Sequence, residues 1–90
     1  MQSSESSSGM AFPCRIDIKV FMKANPGNHA LVRELILELL EDEQLFFIKG
    51  KTSREGKYQS LSCSVRADSK PQIDGVFEKL TSHPEVLMVI

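Results

Sequence analysis

Chemistry in a short chain has to come from side chains that the fold can bring together, and the candidates here are few. The chain holds two histidines, His29 and His83, and two cysteines, Cys14 and Cys63. A nucleophile needs an activating base and a third group to orient that base. His29 opens one amphipathic segment and His83 closes another, so they belong to different corners, and neither has a constellation around it. Both cysteines fall on the apolar phase of alternating segments, where a free thiol acts as a small hydrophobe. A reactive thiol needs a basic, accessible setting instead. Two cysteines make neither a disulfide framework nor a zinc site. Glu38, Glu41, Asp42 and Glu43 form a charge run that reads as a solvated helix end. Walker, Rossmann and HExxH patterns are absent. These residues predict no catalytic set, no metal site and no cofactor.

Three other features point to binding. The first is Asn25-Pro26-Gly27-Asn28, a turn that opens a helix. Backbone N–H groups at such a place can hold a small anion or carboxylate, or the segment is simply a tight turn. The second is an open strand face carrying Arg15, Lys19, Lys23, Lys49, Lys51 and Arg66 beside Phe21, Phe47 and Tyr58. Basic residues interleaved with aromatics resemble a platform for stacking RNA bases. Here, however, one strand presents Ser60, Ser62 and Ser64, and the RNP1 consensus is absent. The third is the apolar C-terminal stretch VLMVI. With Leu87 and Val89 beside Phe21 and Phe47, it predicts a covered surface, in a homodimer or against another protein.

The elements that must position these residues follow from periodicity. Residues 14–22 alternate, with Cys14, Ile16, Ile18, Val20 and Met22 on one side and Arg15, Asp17, Lys19 and Phe21 on the other, which predicts a half-buried strand. Residues 29–43 place Leu31, Val32, Leu35, Ile36, Leu39 and Leu40 at helical spacing, with Asn28 as the expected N-cap. The last turn of this helix is acidic, against the helix dipole, so it must gain a basic neighbour or fray. Residues 45–51 read as a strand, 52–57 as a polar turn with Gly56 suited to positive φ, and 58–68 as a second strand of a hairpin. In that strand Leu61, Cys63, Val65 and Ala67 oppose Tyr58, Ser60, Ser62, Ser64 and Arg66. Ser69 is a capping residue, Gln72 its capping-box partner, and Pro71 fits the first turn. Ile73, Val76, Phe77 and Leu80 form the stripe of this second helix. Gly75 inside it predicts a close backbone approach, and Pro84 ends it near Ser82. Residues 86–90 form a fourth strand. The order βαββαβ is the ferredoxin-like, α+β arrangement: a four-stranded antiparallel sheet with both helices on one face and the fourth strand beside the first.

Composition agrees with one such domain. The chain has 90 residues, 41% hydrophobic and 26% charged, with a formal net charge of −1. That balance gives no global pull toward nucleic acid or anionic lipid, and no apolar run is long enough for a membrane span. Residues 1–11 read as a Ser-rich, disordered tail without the marks of a secretory signal, and 12–90 as the domain. A cytoplasmic, reducing setting with free thiols follows as the expectation.

From Phe12 to Ile90 the chain also resembles the YbeD-like family of small, functionally uncharacterised bacterial proteins. The resemblance is carried by Phe12-Pro13-Cys14, Ile18-Lys19-Val20, Ser53 with Gly56-Lys57-Tyr58, Ser60-Leu61-Ser62, and His83-Pro84 followed by Val86. It implies a ferredoxin-like fold similar to ACT domains, which are amino-acid-sensing regulatory modules. Asn25-Pro26-Gly27 is similar to the Asp-x-Pro-Gly turn of those domains, although Ala24-Asn25 stands where an acidic residue often begins it. Ligands of such domains sit between paired copies, so the resemblance implies a homodimer. The expected function is a non-catalytic regulatory or binding module that senses a small carboxylate or amino acid at Asn25, Pro26, Gly27 and Asn28. The alternative is a protein-binding adaptor using the open sheet face, with RNA binding third.

Overall fold

The computed structural model describes residues 11–90, so the expectation for the Ser-rich tail lies almost wholly outside the described residues. Strand β1 spans Cys14–Lys23, helix α1 Asn28–Leu37, strand β2 Leu45–Thr52, strand β3 Tyr58–Ala67, helix α2 Lys70–Thr81 and strand β4 Val86–Val89. A single 3-10 turn, Asp42–Gln44, leads into β2. The sheet is antiparallel throughout in the order β2-β3-β1-β4, the expected ferredoxin-like topology.

Alternation in β1 and β3 builds the core. Ile18, Val20 and Met22 of β1 and Leu61, Cys63, Val65 and Ala67 of β3 are buried, and they meet Val32, Leu35 and Ile36 of α1 and Ile73, Val76 and Leu80 of α2. Both helices therefore cover one side of the sheet and leave the other side open. The β1–β3 ladder runs unbroken from Cys14↔Ala67 to Lys23↔Tyr58, which fixes which residues share each face.

Helix α1 is shorter than its apolar spacing predicts. It ends at Leu37, and the Leu39 N–H turns back to Ile36 O at 3.1 Å. Continuing the helix would stack Glu38, Glu41, Asp42 and Glu43 at its negative end. Instead Lys79 of α2 pairs with Glu38, and Glu41 adopts an extended backbone that starts the 3-10 turn. A reciprocal capping box between Glu41 and Gln44 holds that turn. Gln44 is only 2% exposed; its Nε2 lies 3.1 Å from Arg66 O, 3.2 Å from Asp68 Oδ2 and 3.2 Å from Gln72 Oε1. It joins the α1–β2 connection to the start of α2.

Helix α2 begins as its sequence predicts, with Ser69 Oγ accepting the Gln72 N–H at 3.3 Å. The Gln72 side chain reaches one residue further back than a capping box requires and accepts the Asp68 N–H at 2.8 Å. Gly75 faces a side chain and not a backbone: a Cβ there would lie 3.5 Å from Leu39 Cδ1, an ordinary contact. In the β2–β3 turn, Gly56 has φ +75°, the region that favours glycine, and its N–H reaches Ser53 O at 2.9 Å.

Two irregularities change which residues face outward. In β2 the register shifts between Leu45 and Phe47, so Phe46 is an extra residue and both phenylalanines are half exposed. In β4, Val89 pairs with Val20 and Val86 with Met22, with Met88 opposite Phe21 and Leu87 left at the bulge. Val89 and Val86 therefore pack against the core. Strict alternation put Val89 on the open face, and the bulge reverses that. The outward residues of this edge are Met88 and Ile90, with Leu87 exposed at the irregularity.

Candidate binding face

The open side of the sheet is a groove. Its floor is the row Ser60, Ser62 and Ser64 of β3, whose side chains are short. On one side stand Phe21, Lys19 and Asp17 of β1, directly opposite those serines, and on the other Lys51, Lys49 and Phe47 of β2. The row runs about 13 Å from Ser60 to Ser64, with Ser64 itself buried, and β1 and β2 stand two strand spacings apart, roughly 10 Å centre to centre. Among the described residues Lys19, Lys49 and Lys51 have no carboxylate within ion-pair distance.

The two ends of the groove differ. One opens into a depression of about 370 Å³ lined by Lys19, Phe21, Lys51, Thr52, Ser53, Tyr58, Gln59 and Ser60. The other is closed by Arg15, whose Nε donates to Ser64 Oγ at 2.7 Å. The guanidinium carbon lies 4.9 Å from the centre of the Phe46 ring and 5.8 Å from that of Phe47. Lys49 Nζ lies 5.9 Å from the Phe47 centre. Ser64 is fully buried as a result, although its strand phase puts it on the open face. Directly across from Arg15 stands Arg66, its Nε bonded to Asp68 Oδ1 at 3.0 Å. Like charges opposite each other on a ladder oppose pairing; stacking and hydrogen bonding hold this pair in place.

The Asn25–Asn28 turn is built differently from its expected role. Gly27, not Asn28, is the N-cap of α1. Asn25 Oδ1 accepts the Gly27 N–H at 2.8 Å, and Asn25 O accepts the Asn28 N–H at 3.1 Å. Two of the donors that an anion would need are thus taken by the turn itself. Asn28 is 3% exposed and its Nδ2 donates to Lys23 O at 2.7 Å and Gln59 Oε1 at 2.8 Å. It ties the helix start to β1 and β3. Asn25, Pro26 and Gly27 are exposed.

The remaining chemistry-bearing residues are engaged locally. His29 Nε2 lies 3.2 Å from Ile48 O at the edge strand β2. His83 Nδ1 accepts the Glu85 N–H at 3.1 Å in the turn before β4. Cys63 is in the core, where burial pushes its thiol up from 9.0 to about 12. Cys14 is partly buried, and both thiols are free.

Sequence reasoning placed Phe21, Phe47, Lys19, Lys49, Lys51 and the serine row on one face, and the ladder puts them there. It missed Phe46, which strict alternation sends inward, and Met88 and Ile90. The doublet Phe46-Phe47 was the available signal, since two aromatics in succession cannot both enter a one-sided core.

An open antiparallel sheet backed by two helices in βαββαβ order defines a ferredoxin-like α+β domain. Solved structures share that fold: protein HP0495 from Helicobacter pylori aligns with a TM-score of 0.77 at 21% identity, over 100% of this chain and 94% of that one. The C-terminal domain of the MgtC protein from Mycobacterium tuberculosis gives a TM-score of 0.66 at 15% identity, over 84% of this chain and 82% of that one. The chain belongs to the family described as "Protein of unknown function (DUF493)", whose model matches residues 7–90, in keeping with the YbeD-like resemblance. It is 30% identical to a UPF0250 protein of Paraburkholderia phytofirmans over 98% of this chain and 99% of the relative. It is also 30% identical to UPF0250 protein NE1487 of Nitrosomonas europaea, over 88% and 91%.

Proposed function

We propose that the domain is a non-catalytic binding module, and that it binds through the outer face of its sheet. The carrying observation is the serine-floored groove walled by Lys19, Lys49 and Lys51, cations with no carboxylate partner among the described residues. A fold does not need such a row for stability, because exposed charges contribute little. The inert setting of Cys63 supports the non-catalytic reading. The depression beside Phe21 and Tyr58, flanked by Lys19 and Lys51, suits a carboxylate better than the Asn25–Asn28 turn, whose own bonds use two N–H groups. Small-acid sensing therefore moves to the outer face as the second reading, and a homodimer through Phe21, Met88 and Leu87 is a way to cover it.

The test fills the floor. Ser62→Trp places an indole in the groove without altering charge. Partners captured by the wild-type chain in a competitive pull-down are expected to be lost from this variant and kept by a variant of the helical side, Arg33→Ala. Equal capture by Ser62→Trp and wild type, with both folded, refutes the outer face as the site. A thermal-shift panel of amino acids and small acids tests the second reading, since a ligand of the folded state raises stability by mass action.

A further inference from the structure

We infer that the groove receives an acidic amphipathic helix of a partner protein, a step that rests on the outer-face reading. Charge complementarity sets the sign. Arg15, Lys19, Lys49, Lys51 and Arg66 line one face, against Asp17 and the Asp68 already engaged by Arg66. Hydrogen bonding sets the secondary structure. The backbone groups of β3 and β1 are used within the sheet, so a segment lying on this face finds no backbone partners. It must satisfy its own, and a helix does so.

Strand addition is the other way to bind a sheet, and the edges discourage it. At β2 the Ile48 carbonyl is already approached by His29, and β4 spans only four residues. Size sets how it sits: β1 and β2 lie roughly 10 Å apart centre to centre, no more than the width of a helix with side chains, about 10–12 Å, so the helix rests across the lysine rows above the serines. The apolar stripe of the partner would meet Phe21, Tyr58 and Met88, and its carboxylates the lysines.

The same details favour protein over nucleic acid. Stacking platforms present bare aromatic faces to successive bases. Here Arg15 lies over Phe46 and Phe47, Lys49 lies near Phe47, and the central row is serine.

The experiment titrates the full chain with a labelled synthetic peptide of roughly 18 residues, about 27 Å as a helix. Leu and Phe form one stripe and Glu fills the other positions; a second peptide has Lys for Glu, and a third probe is single-stranded oligouridine. The Glu peptide is expected to bind, to gain helicity on binding, and to weaken as salt rises; the Lys peptide is not expected to bind. Lys49→Glu with Lys51→Glu should weaken the Glu peptide about tenfold or more, since two attractions become repulsions. Absence of binding at millimolar peptide, equal binding of both peptides, or tighter binding of oligouridine overturns the inference. So does a dimer, seen by light scattering, that the lysine reversals dissolve, because the occupant is then a second copy. Cellular capture separates the two layers. Loss in Ser62→Trp with retention in the lysine reversals leaves the binding module standing and removes the acidic partner. Retention in both removes both. If Ser62→Trp does not fold, Ser60→Phe serves as the floor variant.

Discussion

Arg15 tests whether the closed end of the groove is built or incidental. Replacing it with Met keeps an apolar stem and removes the guanidinium. Three terms change. The Nε bond to Ser64 Oγ is charge-assisted and worth about 1.5 kcal/mol where water competes. The contacts with Phe46 and Phe47 add about 0.5–1 kcal/mol at an exposed site. Relief of the like charge on Arg66, directly opposite, returns about 0.5 kcal/mol. The sum predicts that Arg15→Met loses about 1.5–2 kcal/mol, a large share of the roughly 5–10 kcal/mol expected for a domain of this size. Urea unfolding followed by circular dichroism reads it as a lower midpoint at an unchanged slope. A double-mutant cycle with Phe46→Leu isolates the ring contact, with a coupling of about 0.5–1 kcal/mol. Additivity within about 0.3 kcal/mol refutes the stack as an interaction, and a neutral Arg15→Met refutes the ledger as a whole.

Gly75→Ala should stabilise the domain by about 0.5–1 kcal/mol, because α2 gains helix propensity and the new Cβ meets Leu39 at an ordinary distance; a lower melting temperature contradicts this. Gln44→Leu should cost about 2–3 kcal/mol in the same urea assay, since the Arg66 carbonyl and the Glu41 N–H lose their buried partner. Cys63 binds its proton more tightly folded than unfolded, so its contribution is complete below pH 9.0 and declines as pH rises toward about 12. Relative to Cys63→Ala, wild-type stability should fall by about 1.4 kcal/mol per pH unit in that window, and parallel pH profiles refute the shift. Lys19→Ala, Lys49→Ala and Lys51→Ala combined should leave the urea midpoint within about 0.5 kcal/mol of wild type; a larger loss means the row serves the fold.

The fold was legible because β1 and β3 alternate without interruption, and Ser69 and Gly56 stand where a cap and a positive φ are needed. What escaped the sequence lies where one residue is inserted. A bulge leaves no mark on composition, yet it turns Phe46 outward and Val89 inward. The end of α1 was half legible: its acidic run called for a basic neighbour or a frayed end, but apolar spacing continues through Leu39 and Leu40, and the burial of Gln44 beside the 3-10 turn left no mark in that pattern. Asn28 shows the limit of residue type as evidence. A capping residue beside a helix start was spent on Lys23 and Gln59, and glycine took the cap.

The two sides of the sheet answer to different demands. On the helical side, the acidic end of α1 is met by Lys79, both ends of the buried Gln44 amide by polar partners, and most large apolar side chains by one another. On the outer side, lysines stand without carboxylates among the described residues, two arginines face each other across a ladder, and Met88, Leu87 and Ile90 lie open beside Phe21. Side chains that the fold leaves unpaired are the ones a partner can pair. Arg15 makes the contrast sharp, because its Nε is fixed to Ser64 while no described carboxylate reaches its terminal nitrogens. With its carbon 4.9 Å and 5.8 Å from two ring centres and its Nε already bonded, that guanidinium has less freedom left to lose to a carboxylate than a lysine standing free in solvent.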